Sequence, residues 1–159
     1  MRALWLVLLF LLSAVVHADE AGSASRLTEL LNEENDAGFA KALTPRAFSF
    51  PKDHGPHPDF RNEWWYITGN LDGPGGRRFG FEITIFRFSL TPTPPEPDSN
   101  WRTNQVYVAH LAVTDAEENR FYVAERVSRG AVGLAGARAE PLRVWIDEWE
   151  IASEIASET

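Results

Sequence analysis

The sequence predicts an all-β fold, an antiparallel meander of short strands led in by one short helix. Three observations point there. Apolar residues alternate with a period of two in several segments after residue 60, the signature of a strand with one buried face. Gly- and Pro-rich breaks separate those segments. Aromatics reach 12%, with 44% apolar and 24% charged residues, enough to fill a core or wall an apolar cavity in a chain of 159 residues. That length suits one domain.

The chain opens with Arg2 and an almost wholly apolar run over residues 3–16, followed by Val16-His17-Ala18 and the acidic pair Asp19-Glu20. This is the layout of a secretory signal peptide cleaved after Ala18, and the apolar run is short for a bilayer span. Residues 1–18 are therefore expected to be a leader, and the protein to be exported, periplasmic or secreted. The sequence contains no cysteine, so disulfides, thiolate chemistry and a lipid-modified N-terminal cysteine are excluded. The net charge of −8, with no cluster of Lys and Arg, argues against nucleic acid as a partner.

Residues 19–47 read as a lead-in. Ser25 can cap a helix within residues 21–35 whose Leu27, Leu30 and Leu31 share a face, with Gly38 as a stop. Pro45, Pro51, Pro56 and Pro58 then stiffen an extended, non-helical loop carrying Asp53, His54 and His57. Strands are expected over residues 63–71, 78–90, 105–114, 120–127 and 142–150. The segments 72–76, 91–100 and 115–119 form the turns and loops between the first four, and 128–141 is expected to be irregular. Trp145 and Trp149 would share one face of the fifth strand. Five strands fall short of the roughly eight that close an up-and-down barrel, so an incomplete barrel with an open edge is expected. The tandem Ile151-Ala152-Ser153-Glu154, Ile155-Ala156-Ser157-Glu158 resembles no packed element and suggests a truncation or a shifted frame.

Four groups of residues can carry function. His54 and His57, flanked by Asp53, Asp59 and Glu63, offer imidazole and carboxylate together. The proline-broken spacing lacks the specificity of a helical metal pair, so ordering a loop at a barrel mouth is preferred and no metal is assigned. In Glu63-Trp64-Trp65-Tyr66, Trp64 and Tyr66 fall on one strand face, Glu63 and Trp65 on the other. One set can wall an extended apolar ligand, or both can be a Trp-rich core. Arg87 shares the face of Phe81 and Ile83, and His110 that of Val106 and Val108. Both are therefore candidates for interior polar groups, whereas Glu82 is expected to face solvent. No nucleophile elbow, phosphate loop or zinc signature is present, and no cofactor is implied.

Several stretches together resemble one family. They are Phe50-Pro51-Lys52-Asp53-His54-Gly55-Pro56-His57-Pro58, Arg61-Asn62-Glu63-Trp64-Trp65-Tyr66-Ile67-Thr68-Gly69-Asn70, Phe79-Gly80-Phe81-Glu82 and Phe86-Arg87-Phe88. Ala109-His110-Leu111-Ala112-Val113-Thr114-Asp115, Glu125-Arg126-Val127-Ser128-Arg129, Gly133-Leu134-Ala135-Gly136 and Val144-Trp145-Ile146-Asp147-Glu148-Trp149 continue the pattern. The chain resembles the AttH/CrtC-type lipocalin-like proteins, which include carotenoid 1,2-hydratases, from about residue 37 to 149. The resemblance implies the first of two lipocalin-like halves, at residues 48–150, with 151–159 outside the family pattern. It implies a hydrophobic, isoprenoid- or lipid-like ligand touched by Trp64, Trp65, Tyr66, Arg87 and His110. In the longer proteins it implies water addition to a C=C bond. That reaction needs a carboxylic acid as proton donor, for which Glu63 is the nominee here. The alternatives are a non-catalytic periplasmic carrier, a partner of a membrane-associated export system, or an inactive fragment.

Overall fold

The computed structural model describes residues 36–96 and 99–153. The expected leader, lead-in helix and residues 154–159 lie outside the described residues. What is described is all-β and antiparallel. Seven strands run in chain order: β1 (Asn62–Asp72), β2 (Arg78–Ser89), β3 (Gln105–Asp115), β4 (Arg120–Arg129), β5 (Ala135–Arg138), β6 (Arg143–Ile146) and β7 (Trp149–Ala152). The first four make one sheet in the order β1-β2-β3-β4, and the last three a second sheet in the order β5-β6-β7. Both are simple meanders. Among the described residues the strands do not close into a barrel.

The turn chemistry explains the first hairpin. Gly75 and Gly76 have φ of 74° and 82°, the left-handed region that glycine enters without a Cβ clash, and they reverse the chain between β1 and β2. Register then follows: Trp65 lies opposite Ile85, Ile85 opposite Ala109 and Ala109 opposite Arg126. Glu63, Trp65, Ile83, Ile85, Arg87, Tyr107 and Ala109 therefore share one face, and the second sheet packs there. Ile85, Tyr107 and Ala109 join Ala135, Val144, Ile146 and Ile151 in the core, with half-buried Trp65, Leu142 and Trp149 packed around them. The opposite face carries Trp64, Tyr66, Phe86, Phe88, His110, Phe121 and Val123 and is uncovered among the described residues.

The C-terminal third departs from the sequence expectation. The single strand expected over residues 142–150 is a hairpin, β6 and β7, with Ile146 opposite Trp149 and Trp145 opposite Glu150. Asp147 takes φ of 50° at its tip, a conformation Asp tolerates better than most residues. Trp145 and Trp149 thus belong to different strands. The expected irregular segment holds β5, built from small residues for a reason. A Cβ on Gly136 would lie 2.5 Å from the Trp145 ring, so the indole can lie across the strand only over glycine. Ile151, read as part of an unpacked tail, is a buried member of β7.

Candidate functional site

The site begins at the inward end of β1. Register sets Glu63 directly across from Arg87, and Arg87 across from Tyr107, all on the face that packs on the second sheet. Arg87 is only 2% exposed. A buried guanidinium is tolerable only if its donors are met, and here they are. Its Nε donates to Glu63 Oε1 at 2.5 Å and its Nη1 to Gln105 Oε1 at 2.6 Å. Its Nη2 donates to the carbonyls of His57 and Phe60 at 3.0 and 2.8 Å. One arginine on β2 thereby ties the His-Gly-Pro-His loop to the sheet.

The loop reciprocates. The backbone N–H of His57 donates to both Glu63 oxygens at 3.0 and 2.9 Å, and His57 Nδ1 lies 3.1 Å from Oε2. On its other side His57 Nε2 lies 3.0 Å from Asp53 Oδ1 and 3.1 Å from the Arg46 guanidinium, which also donates to Asp53 at 2.8 Å. His57 thus stands between two carboxylates, one ring nitrogen facing each, with the Arg46 guanidinium beside it on the Asp53 side. The Ser49 N–H, then His57 and Arg46, hold the Asp53 carboxyl well below the usual carboxylate range. The Trp65 indole N–H donates to the His54 carbonyl at 2.9 Å. Gly55 sits so close to Ala139 that an added Cβ would lie 2.6 Å from its Cβ. These contacts seat the loop between β1 and the turn joining β5 to β6. Beneath the cluster, burial pushes the Tyr107 hydroxyl up to about 12, against a smaller opposing pull from Arg87.

A cleft of about 430 Å³ runs along the edge of β1 that is unpaired among the described residues, bordered by Asp53, His54, His57, Glu63, the Trp64–Ile67 stretch of β1, Leu142 and Ile151. Because it follows a strand edge, residues from both faces of β1 reach it. The expected site residues divide accordingly. Asp53, His54, His57, Glu63, Trp64, Trp65 and Tyr66 meet at this cleft. Arg87 lies behind it as a buried tie.

His110 is elsewhere, and its expected interior position is corrected. It lies on the uncovered face, its side chain 49% exposed, 3.0 Å from Glu125 and 5.6 Å from the Phe86 ring centroid. It borders a second groove of about 360 Å³ with Glu82, Phe121 and Val123. Both faces of β3 are apolar, so alternation alone could not say which one the second sheet covers. Glu82 is exposed, on the same side as His110.

Arg46, Gln105, Leu142 and Ile151 were not legible as site residues. Gln105 opens β3 directly beside Arg87, a placement that needs the register. Nothing in the sequence around Arg46 signals its reach across eleven residues to His57.

The fold and this loop-to-sheet tie define a lipocalin-like antiparallel β module. The AttH-like family model matches residues 41–159, and the chain belongs to that family. The match includes residues 151–159. A solved structure from Nitrosomonas europaea, described as a candidate AttH, is 33% identical with a TM-score of 0.57. The alignment covers 74% of this chain and 34% of that one, so the chain spans about a third of that protein's length. No curated protein matches the chain.

Proposed function

We propose that this chain is an exported ligand-binding module that holds a hydrophobic, isoprenoid- or lipid-like molecule along the edge of β1. The observation carrying this reading is the pairing of the cleft with exposed aromatics. Trp64 and Tyr66 are 61% and 52% exposed at its border, large apolar side chains kept in water where a folded protein ordinarily covers them. A volume near 430 Å³ falls within the range of small-molecule sites, about 300–1,000 Å³.

Hydration of a C=C bond is the less supported function for these residues. It requires a carboxylic acid that gives a proton to carbon. Glu63 accepts hydrogen bonds from Arg87 and from both the backbone and, in the Nδ1-protonated tautomer, the ring of His57. Its geometry is that of an anchor. Any hydratase activity of longer relatives would therefore draw its proton from a group other than this one.

The test is binding of a long-chain isoprenoid alcohol, followed by quenching of tryptophan fluorescence in the full chain and in Trp64→Ala. Saturable binding, weakened about tenfold or more in the variant, supports the reading. Equal binding by both proteins, or none by either, sinks it. Mass analysis of the protein recovered from the periplasm tests the export step, with cleavage after Ala18 expected.

A further inference from the structure

We infer that the β1 cleft selects ligands whose polar end is uncharged and able to hydrogen-bond, and rejects the corresponding carboxylate. The inference rests on the binding reading above and deepens it by naming the ligand's polar end.

The cluster behind the cleft contains two carboxylates, Asp53 and Glu63, and two guanidiniums, Arg46 and Arg87, paired at 2.8 and 2.5 Å. Each carboxylate is thus held by a guanidinium, and among the described residues no lysine or arginine borders the cleft. The two signs are also unequally placed. Asp53 and Glu63 border the cleft, whereas Arg87 is buried and the half-exposed Arg46 is not part of its lining. Arg87 is spent on four acceptors. An entering carboxylate would meet carboxylates first and would lose its water without gaining a partner.

Hydrogen-bonding groups remain open along the cleft. The His54 imidazole, the Trp64 indole N–H and the Tyr66 hydroxyl border it with no hydrogen-bond partner among the described residues. Among the described residues β1 pairs only with β2, so its outer edge presents backbone N–H and C=O groups as well. Donors and acceptors of this kind suit a hydroxyl or an ester carbonyl, each satisfied without burying charge. The apolar body of the ligand would lie against Trp64, Ile67, Leu142 and Ile151.

The experiment compares three ligands sharing one isoprenoid chain, geranylgeraniol, geranylgeranoic acid and its methyl ester, with the full chain at pH 7.5. The alcohol and the ester are expected to bind at least about tenfold more tightly than the acid. Tyr66→Phe, which keeps the ring and removes the hydroxyl, is expected to weaken the alcohol several-fold and leave the matching hydrocarbon unaffected. If none of the three binds, the binding reading itself fails. If the acid binds as tightly as the alcohol, binding stands and this inference falls. If Tyr66→Phe weakens hydrocarbon and alcohol equally, the hydrogen-bonding part of the inference falls with it.

Discussion

Replacing Arg87 with methionine tests whether the loop-to-sheet tie holds the site together. The substitution keeps roughly the aliphatic stem of the side chain and deletes its four donated hydrogen bonds. Removing one partner of a buried ion pair costs about 3–5 kcal/mol, because the other charge stays buried without compensation. The carbonyls of His57 and Phe60 would add orphaned acceptors at about 1–3 kcal/mol each. Those contributions overlap, since a relaxed loop can rehydrate all of them together. Glu63 is 14% exposed at its side chain and keeps its bonds from His57, which argues for the lower end, about 3 kcal/mol. With a urea slope of about 1–3 kcal/mol per molar, the unfolding midpoint should fall by about 1–3 M. Adding Glu63→Gln removes the stranded charge, so the double variant should be more stable than Arg87→Met alone. That sign of the coupling is what identifies an ion pair as opposed to simple packing. A stability for Arg87→Met within about 0.5 kcal/mol of wild type would refute the reasoning, because a fully exposed arginine behaves that way.

Two further expectations follow from the same structure. The Asp53 carboxyl titrates lower in the folded chain than in the unfolded one, so the folded state binds fewer protons. Its contribution is present above the unfolded value of about 3.9 and is lost as pH falls through the folded value. Asp53→Asn should therefore flatten the fall in stability below about pH 4, read by urea midpoints across that range; an unchanged slope would remove Asp53 from the account. Ile151→Ala should lower stability by about 2–4 kcal/mol, as for other buried aliphatic truncations, whereas an unpacked tail would show no change.

Legibility in the sequence differed from element to element for physical reasons. β1 to β4 were readable because each is rich in aromatic and β-branched residues and is bounded by turn or loop chemistry such as Asp72-Gly73-Pro74-Gly75-Gly76, with β2 adding clear period-two alternation. The second sheet was not. The β6–β7 turn uses Asp147-Glu148, without the glycine that usually marks a tight hairpin, so the apolar run reads as one strand. β5 has a composition that signals a loop, and its glycine makes sense only once Trp145 is seen lying over it. At the site, Glu63 and the loop histidines stood out by residue type. Which face of the sheet is covered depends on the second sheet, and that decided between Arg87, which is buried, and His110, which is exposed.

The most direct test of the central claim is a heteronuclear NMR titration of the full chain with geranylgeraniol, following the six tryptophan indole N–H resonances. The account predicts saturable shifts at Trp64 and Trp65 beside the cleft, with Trp101 and Trp145 unmoved. Shifts confined to backbone amides around His110, Phe121 and Val123 would place the ligand in the other groove and contradict it.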